Sequence, residues 1–249
     1  MSPAVLVTGG ARRIGATLAR SFGAAGWHVV IHYHVSRDAA EALAASLPSA
    51  ECVRCDLGDI AAAAALVEML AARLDDWRVL INCAAVFRED SVRQLDPAIF
   101  TEAVTVNAAT PARMAQAFLA HARAAGGRRV IGLTDQKLAN PNPDFFSYTM
   151  AKHAFSATIR MMAIAQAEPA DRIYGLAPGA MLPSFDQQPD EHQISGRMNL
   201  LGRLTDPQEL ADAALFLSEG WLASGETLFV DSGQHLLSQP RDVLYLARR

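Results

Sequence analysis

Short apolar runs alternate with helical stretches along nearly the whole chain, and this alternation narrows the possible folds more than any other feature. Ala4-Val5-Leu6-Val7 is an apolar run that ends in the turn signal Thr8-Gly9-Gly10. Residues 14–25 have helical spacing, with Ile14, Leu18 and Phe22 on one face and Gly26 closing the segment. The pattern then repeats. Strands are predicted at 28–32, 51–54, 79–81, 129–133, 172–176 and 227–230, separated by helices at 37–46, 60–74, 97–106, 111–124, 147–166 and 207–217. Strands that are apolar on both faces belong in a parallel sheet covered by helices on each side. The expectation is α/β: one doubly wound, Rossmann-type domain over residues 1–249, with no repeat or linker dividing it. Two stretches break the rhythm. Residues 138–146 are turn-rich, and residues 181–199, with Pro183, Pro189 and Gly196, are predicted to form a substrate-binding loop.

Composition removes several classes of function. A chain of 249 residues with 51% hydrophobic and 19% charged residues buries an ordinary globular core. A net charge of -4 argues against a nucleic-acid partner, which needs a broad basic surface. The partner expected is a small molecule. No apolar stretch approaches the roughly 20 residues that span a bilayer. The first eight residues lack the basic start of a signal peptide, so a soluble, cytoplasmic protein is predicted. Cys52 and Cys55 read C-V-R-C, but no second Cys or His pair follows at ligand spacing. On a strand, residues three apart point to opposite faces, so reduced thiols are expected rather than a metal site. His121, His153, His192 and His235 also lack partners at metal spacing.

Thr8-Gly9-Gly10-Ala11-Arg12-Arg13-Ile14-Gly15 lies between the first strand and the first helix. A dinucleotide pyrophosphate needs close backbone approach there, which Gly9 and Gly15 allow, and helix N-terminal amides aimed at the anion. Arg12 and Arg13 add positive charge. At the end of the second strand, NAD-preferring proteins place a carboxylate for the ribose 2′-hydroxyl. Here the segment reads His32-Tyr33-His34-Val35-Ser36-Arg37, and no carboxylate occurs before Asp38. Ser36 and Arg37 can instead donate to a 2′-phosphate, so NADP(H) is the predicted cofactor, with His34 beside them.

Tyr148 and Lys152 are four apart in the long helix predicted at 147–166 and so share a face. An ammonium near the phenol is expected to favour phenolate and bring its pKa, ordinarily near 10, closer to neutrality.

The glycine turn, Asn82-Cys83-Ala84-Ala85, Asn107, the Tyr148/Lys152 pair and Pro178-Gly179 together resemble the short-chain dehydrogenase/reductase family over nearly the whole chain, up to Asp231-Ser232-Gly233. The resemblance implies a seven-stranded sheet and a homotetramer. It implies a proton-relay water held near Lys152 by Asn107, adenine contacts from Asp56 and Leu57, and cofactor contacts from Ile14, Asn82, Ala84, Tyr148, Lys152, Pro178 and Gly179. Two departures stand out. Arg13 replaces a usual glycine, and Asp135 replaces the usual serine thirteen residues before Tyr148. Both are similar to the pteridine reductase and dihydromonapterin reductase subgroup, as are His32 to Ser36 and Thr134-Asp135. In that subgroup an aromatic at the position of Phe87 stacks on the pterin.

The chemistry is consistent with a pterin. Asp135 as carboxylate accepts from a donor-rich ring edge, and as carboxylic acid it passes a proton. Phe87 would sandwich a flat ring against the nicotinamide, and Arg13 would bridge cofactor and substrate. Asp135, Tyr148, Lys152 and Asn107 are therefore the candidate catalytic residues, and Arg13, Phe87, Asp135 and Tyr148 the candidate substrate contacts. Two alternatives stay open: a carbonyl or alcohol oxidoreductase of the same family, disfavoured because a carboxylate repels a developing alkoxide, and a catalytically silent NADP(H) sensor.

Overall fold

The structure is a computed structural model that describes residues 2–184 and 186–248. Phe185, inside the loop predicted at 181–199, and Arg249 lie outside the described residues.

Seven parallel strands form one sheet in the order β3-β2-β1-β4-β5-β6-β7. They are β1 (Ala4–Val7), β2 (His28–Tyr33), β3 (Ala50–Arg54), β4 (Trp77–Asn82), β5 (Arg129–Leu133), β6 (Arg172–Pro178) and β7 (Thr227–Val230). Strand order reverses between β1 and β4, and crevices for ligands open at such a switch point, beyond the carboxyl ends of the strands. The helices are α1 (Arg13–Ala24), α2 (Arg37–Ala45), α3 (Ile60–Ala71), α4 (Pro97–Val104), α5 (Thr110–His121), α6 (Phe146–Ala165), α7 (Pro189–Ser195), α8 (Pro207–Glu219) and α9 (Val243–Ala247).

Alternate residues of each strand feed two separate cores, because successive side chains leave a strand on opposite faces. Leu6 and Leu80 pack with Leu70, Phe118 and Phe155 on one side. Val5, Val7, Val79 and Ile81 pack with Leu18, Phe22 and Leu210 on the other. Cys55 joins the first core and Cys52 borders the second, and both thiols are free. Among the described residues no metal-binding cluster forms, and no helix is long and apolar enough to cross a membrane.

Three expectations about elements need correction. The helices predicted at 97–106 and 111–124 are one helical run, joined through a π turn at Thr105–Ala109. Pro111 does not break it, because proline is tolerated in a helix's first turn, and Pro111 sits at the start of α5. The stretch 181–199 is not wholly irregular: Pro189 and Glu191 help start α7, where Gln188 and Glu191 make a capping box. The chain end forms α9, whose first turn is capped by Asp242.

Candidate active site

The turn after β1 is built from backbone geometry. Thr8 Oγ1 donates to the Ile81 carbonyl (3.3 Å) and accepts from the amides of Cys83 (2.9 Å) and Ala84 (3.0 Å). This binds the β1 turn to the one after β4. Gly9 has φ +64, and a Cβ there would lie 3.1 Å from the Ala84 Cα. A Cβ on Gly15 would lie 2.2 Å from the Gly9 carbonyl oxygen. Both positions form a cradle that side chains would fill. Arg12, the residue before α1, makes no side-chain cap bond, so the first-turn amides of α1 are not consumed by it. Arg13 sits at φ 52, in the left-handed region that costs a non-glycine residue about 1–2 kcal/mol. That conformation explains why glycine is usual there in the resembled family. Arg13 also donates to the Pro183 carbonyl (2.8 Å), tying the turn to the loop at 181–199.

His32 is a cofactor-side residue that the sequence reading missed. Its Nδ1 accepts from the Gly9 amide (3.1 Å), so the proton belongs on Nε2, which reaches the Cys55 carbonyl at 3.1 Å. Burial lowers its pKa to about 4, which keeps this tautomer neutral. At the rim, Ser36 precedes α2, and the exposed Arg37 spends its Nε on Glu41 at 2.8 Å. His34 lies 3.8 Å from the exposed Asp56 carboxylate. Leu57 is buried, with its carbonyl accepting from Thr110 Oγ1 (2.7 Å). Asn82 anchors the β4 end to Pro111, donating Nδ2 to its carbonyl at 3.3 Å and leaving Oδ1 buried without a partner.

A cavity of about 560 Å³ opens where these turns meet α6, and its wall includes Gly9, Arg13, Ala84, Pro178 and Gly179. At its floor Tyr148 donates its hydroxyl to Asp135 Oδ2 at 2.7 Å. Asp135 Oδ1 accepts from the Lys137 amide (2.8 Å), so the carboxyl caps the turn Gln136–Leu138 and holds the phenol at once. Lys152 is buried, and its Nζ donates to the Leu133 carbonyl at 2.6 Å, 5.7 Å from the centre of the Tyr148 ring. The expected pKa effect is reversed. Burial, with the Asp135 carboxylate beside it, pushes the Tyr148 phenol well above its ordinary range, and Lys152 does not offset that. Burial also raises Asp135 and lowers Lys152. Burial therefore disfavours the charged form of all three groups.

Asn107 is buried in the π turn and clamps Val86, accepting from its amide and donating to its carbonyl at 2.8 Å each. Its side chain thereby holds the loop that carries Phe87. Phe87 is in the cavity wall, but one face is already taken: Phe145 stacks on it at 3.9 Å between ring centres. Tyr245 of α9 stacks behind Phe145 at 5.9 Å. The α9 residues Val243 and Leu244 line the cavity, and Phe145, at φ 53, packs on the wall residue Phe87; the sequence reading missed all three. The side-chain oxygens of Thr134 and Gln136, both cavity residues, are buried without partners. Cys83 borders the cavity too, but burial pushes its thiol to about 12, which makes it a poor nucleophile.

Comparison with known proteins agrees with this geometry. Residues 9–235 match the family model described as Enoyl-(Acyl carrier protein) reductase. The chain is similar to the solved structure of FolM alternative dihydrofolate reductase 1 from Brucella canis, complexed with NADP, at 32% identity, a TM-score of 0.89 and 96% of each chain. It is 28% identical over 283 residues to pteridine reductase 1 of Leishmania tarentolae, covering 94% of this chain and 97% of that protein. It is also 28% identical over 238 residues to 7alpha-hydroxysteroid dehydrogenase of Escherichia coli, covering 92% of each.

Proposed function

The chain belongs to the short-chain dehydrogenase/reductase family, and from that premise we propose that it reduces a dihydropterin-like ring to the tetrahydro form. It is an NADP(H)-dependent oxidoreductase. The cradle around Gly9 and Gly15, the open first-turn amides of α1 and the unpartnered Asn82 and Thr134 oxygens fit the dinucleotide. Ser36 and Arg37 are the groups proposed for the 2′-phosphate. When bound, NADPH supplies the hydride for a ring C=N carbon.

The observation that carries the pterin reading is the 2.7 Å bond from Tyr148 to Asp135 on the cavity floor. The Asp135 carboxyl, whose charged form burial disfavours, is the group proposed to hand a proton to a ring nitrogen, with Tyr148 hydrogen-bonding the carboxylate that remains. The Lys152 ammonium, buried nearby, stabilises the negative charge left on the pair. Phe87, stacked on Phe145 and in T-shaped contact with Tyr148 at 4.7 Å, is the aromatic wall proposed for a flat heterocycle.

The test follows NADPH oxidation with dihydromonapterin, dihydrobiopterin, dihydrofolate and a panel of simple ketones in parallel. Turnover of at least one dihydropterin above every ketone is expected. Ketone turnover with silent pterins would overturn the reading. Assembly as a homotetramer goes with the proposal and is checked by light scattering.

A further inference from the structure

Lys137 and Asp242 are both nearly inaccessible, at 3% and 8% exposure, although neither is needed for the chemistry above. Lys137 Nζ forms an ion pair with Asp242 Oδ2 at 2.6 Å and donates to Asn142 Oδ1 at 3.0 Å and to the Asp144 carbonyl at 3.3 Å. Its ammonium also lies 5.3 Å from the centre of the Phe145 ring. The amide of this same lysine is the one capped by Asp135. Asp242 faces the other way as well. Its Oδ1 accepts from the Leu244 amide at 3.0 Å and starts α9. From α9, Leu244 reaches the cavity wall and Tyr245 backs the Phe145–Phe87 stack. Asp144 locks the preceding chain, taking Arg241 Nε at 2.7 Å and the Asp242 amide at 2.8 Å.

We propose that Asp242, through Lys137 on one side and α9 on the other, is a positioning residue that holds the acid wall and the aromatic wall of the substrate cleft in register. The two oxygens of one carboxylate serve the two walls. The Lys137 ammonium fixes the turn that aims Asp135, and the Leu244 cap fixes the helix that braces Phe87. A buried ammonium that loses its carboxylate is left uncompensated, so this contact is sensitive to single changes. The chain terminus thus becomes part of the specificity apparatus for a planar substrate, which rests on the function proposed above.

The experiment compares wild-type protein with Asp242→Asn, as full-length chains saturated with NADPH. Asparagine keeps an acceptor for the Leu244 amide but withdraws the countercharge from Lys137. The first readout, hydrogen exchange, needs no substrate. Protection is expected to fall in 86–94, 135–145 and 243–247 and to persist in 9–16 and 28–33. The second readout is kinetic: KM for a dihydropterin rises about 10- to 100-fold, while NADPH affinity is unchanged. Tyr245→Ala removes the brace, together with its contacts to Arg241 and Glu89, but leaves the Lys137–Asp242 pair in place, and it keeps the test available if Asp242→Asn folds poorly. It is expected to release 86–94 while leaving 135–140 protected. The double variant Lys137→Met/Asp242→Leu removes both charges and is expected to regain protection at 135–145. Unchanged exchange at both walls, or exchange that spreads into 9–16 with loss of NADPH affinity, overturns the proposal. If the wild-type protein reduces no pterin, the substrate reading falls, and the exchange data still decide whether the clasp exists.

Discussion

The cofactor side and the substrate side of the cleft are assembled on different principles. On the cofactor side, the β1–α1 turn, the ends of β2 and β4 and the start of α1 meet through backbone amides, carbonyls and missing Cβ atoms. On the substrate side, Phe87, Asp135, Phe145, Tyr148 and Tyr245 come from four distant stretches of chain and meet only through packed and charged side chains. The contrast teaches that one fold keeps a common cofactor while changing substrates: the invariant half is backbone, and the adjustable half is side chain.

Changes that separate the two sides test this contrast. The largest effect is expected from Tyr148→Phe, which removes the hydroxyl on Asp135. Turnover of a dihydropterin should fall about a thousandfold while NADPH still binds, measured by single-turnover oxidation beside fluorescence titration. Wild-type turnover in this variant would remove the phenol from the mechanism. Asp135→Asn should lower turnover about a hundredfold and simplify its pH dependence. Because burial raises the folded-state pKa, the proton on Asp135 is retained below that raised value and lost above it, so wild-type activity should decline as pH rises through it. The asparagine variant should lack that limb. The same shift means that folded wild-type protein loses stability as pH climbs from 3.8 through the raised value. The asparagine variant should therefore melt at a higher temperature near neutrality, and a lower one would contradict the burial argument.

On the cofactor side, His32 titrates in the opposite sense. Its pKa is lowered from 6.5 to about 4, so its contribution to stability is complete above 6.5 and is lost as pH falls toward 4. Melting experiments between those values should show a decline on the order of 2 kcal/mol, accompanied by loosening of the Gly9 turn in hydrogen exchange. His32→Asn should flatten that part of the profile. The smallest effect is expected from Arg37→Ala. Glu41 already engages Arg37 Nε, and the residue is exposed, so the NADPH-over-NADH preference should fall only about tenfold in kcat/KM. An unchanged preference would take Arg37 out of 2′-phosphate recognition.

Legibility followed the same division. The glycine turn, the strand alternation and the four-residue step from Tyr148 to Lys152 were readable because each depends on neighbours a few residues away. Gly15 is one case: its closeness to the Gly9 carbonyl is a property of one tight turn. The sign of the Tyr148 shift was not readable. Spacing puts Lys152 on the same helical face, but only the packed structure buries the phenol and sets Asp135 against it. Asn107 shows a similar limit, since the Val86 backbone that its side chain clamps lies 21 residues away in the chain. His32 stood in plain view beside His34, but its role depends on a carbonyl from β3's far end, at Cys55.

By itself the amino-acid order determined the alternating architecture, the glycine turn and the shared helical face of Tyr148 and Lys152, because hydrophobic period, glycine placement and helical spacing act over short chain distances, whereas Asp135 came to notice only through the family resemblance. Tertiary structure alone decided the burial that disfavours charge on Tyr148, Asp135 and Lys152, the stacking of Phe145 on Phe87 and the place of α9 in the cavity wall. Those outcomes depend on desolvation and on the meeting of Lys137 with Asp242, and neither burial nor a contact between distant side chains is written into any local window of sequence.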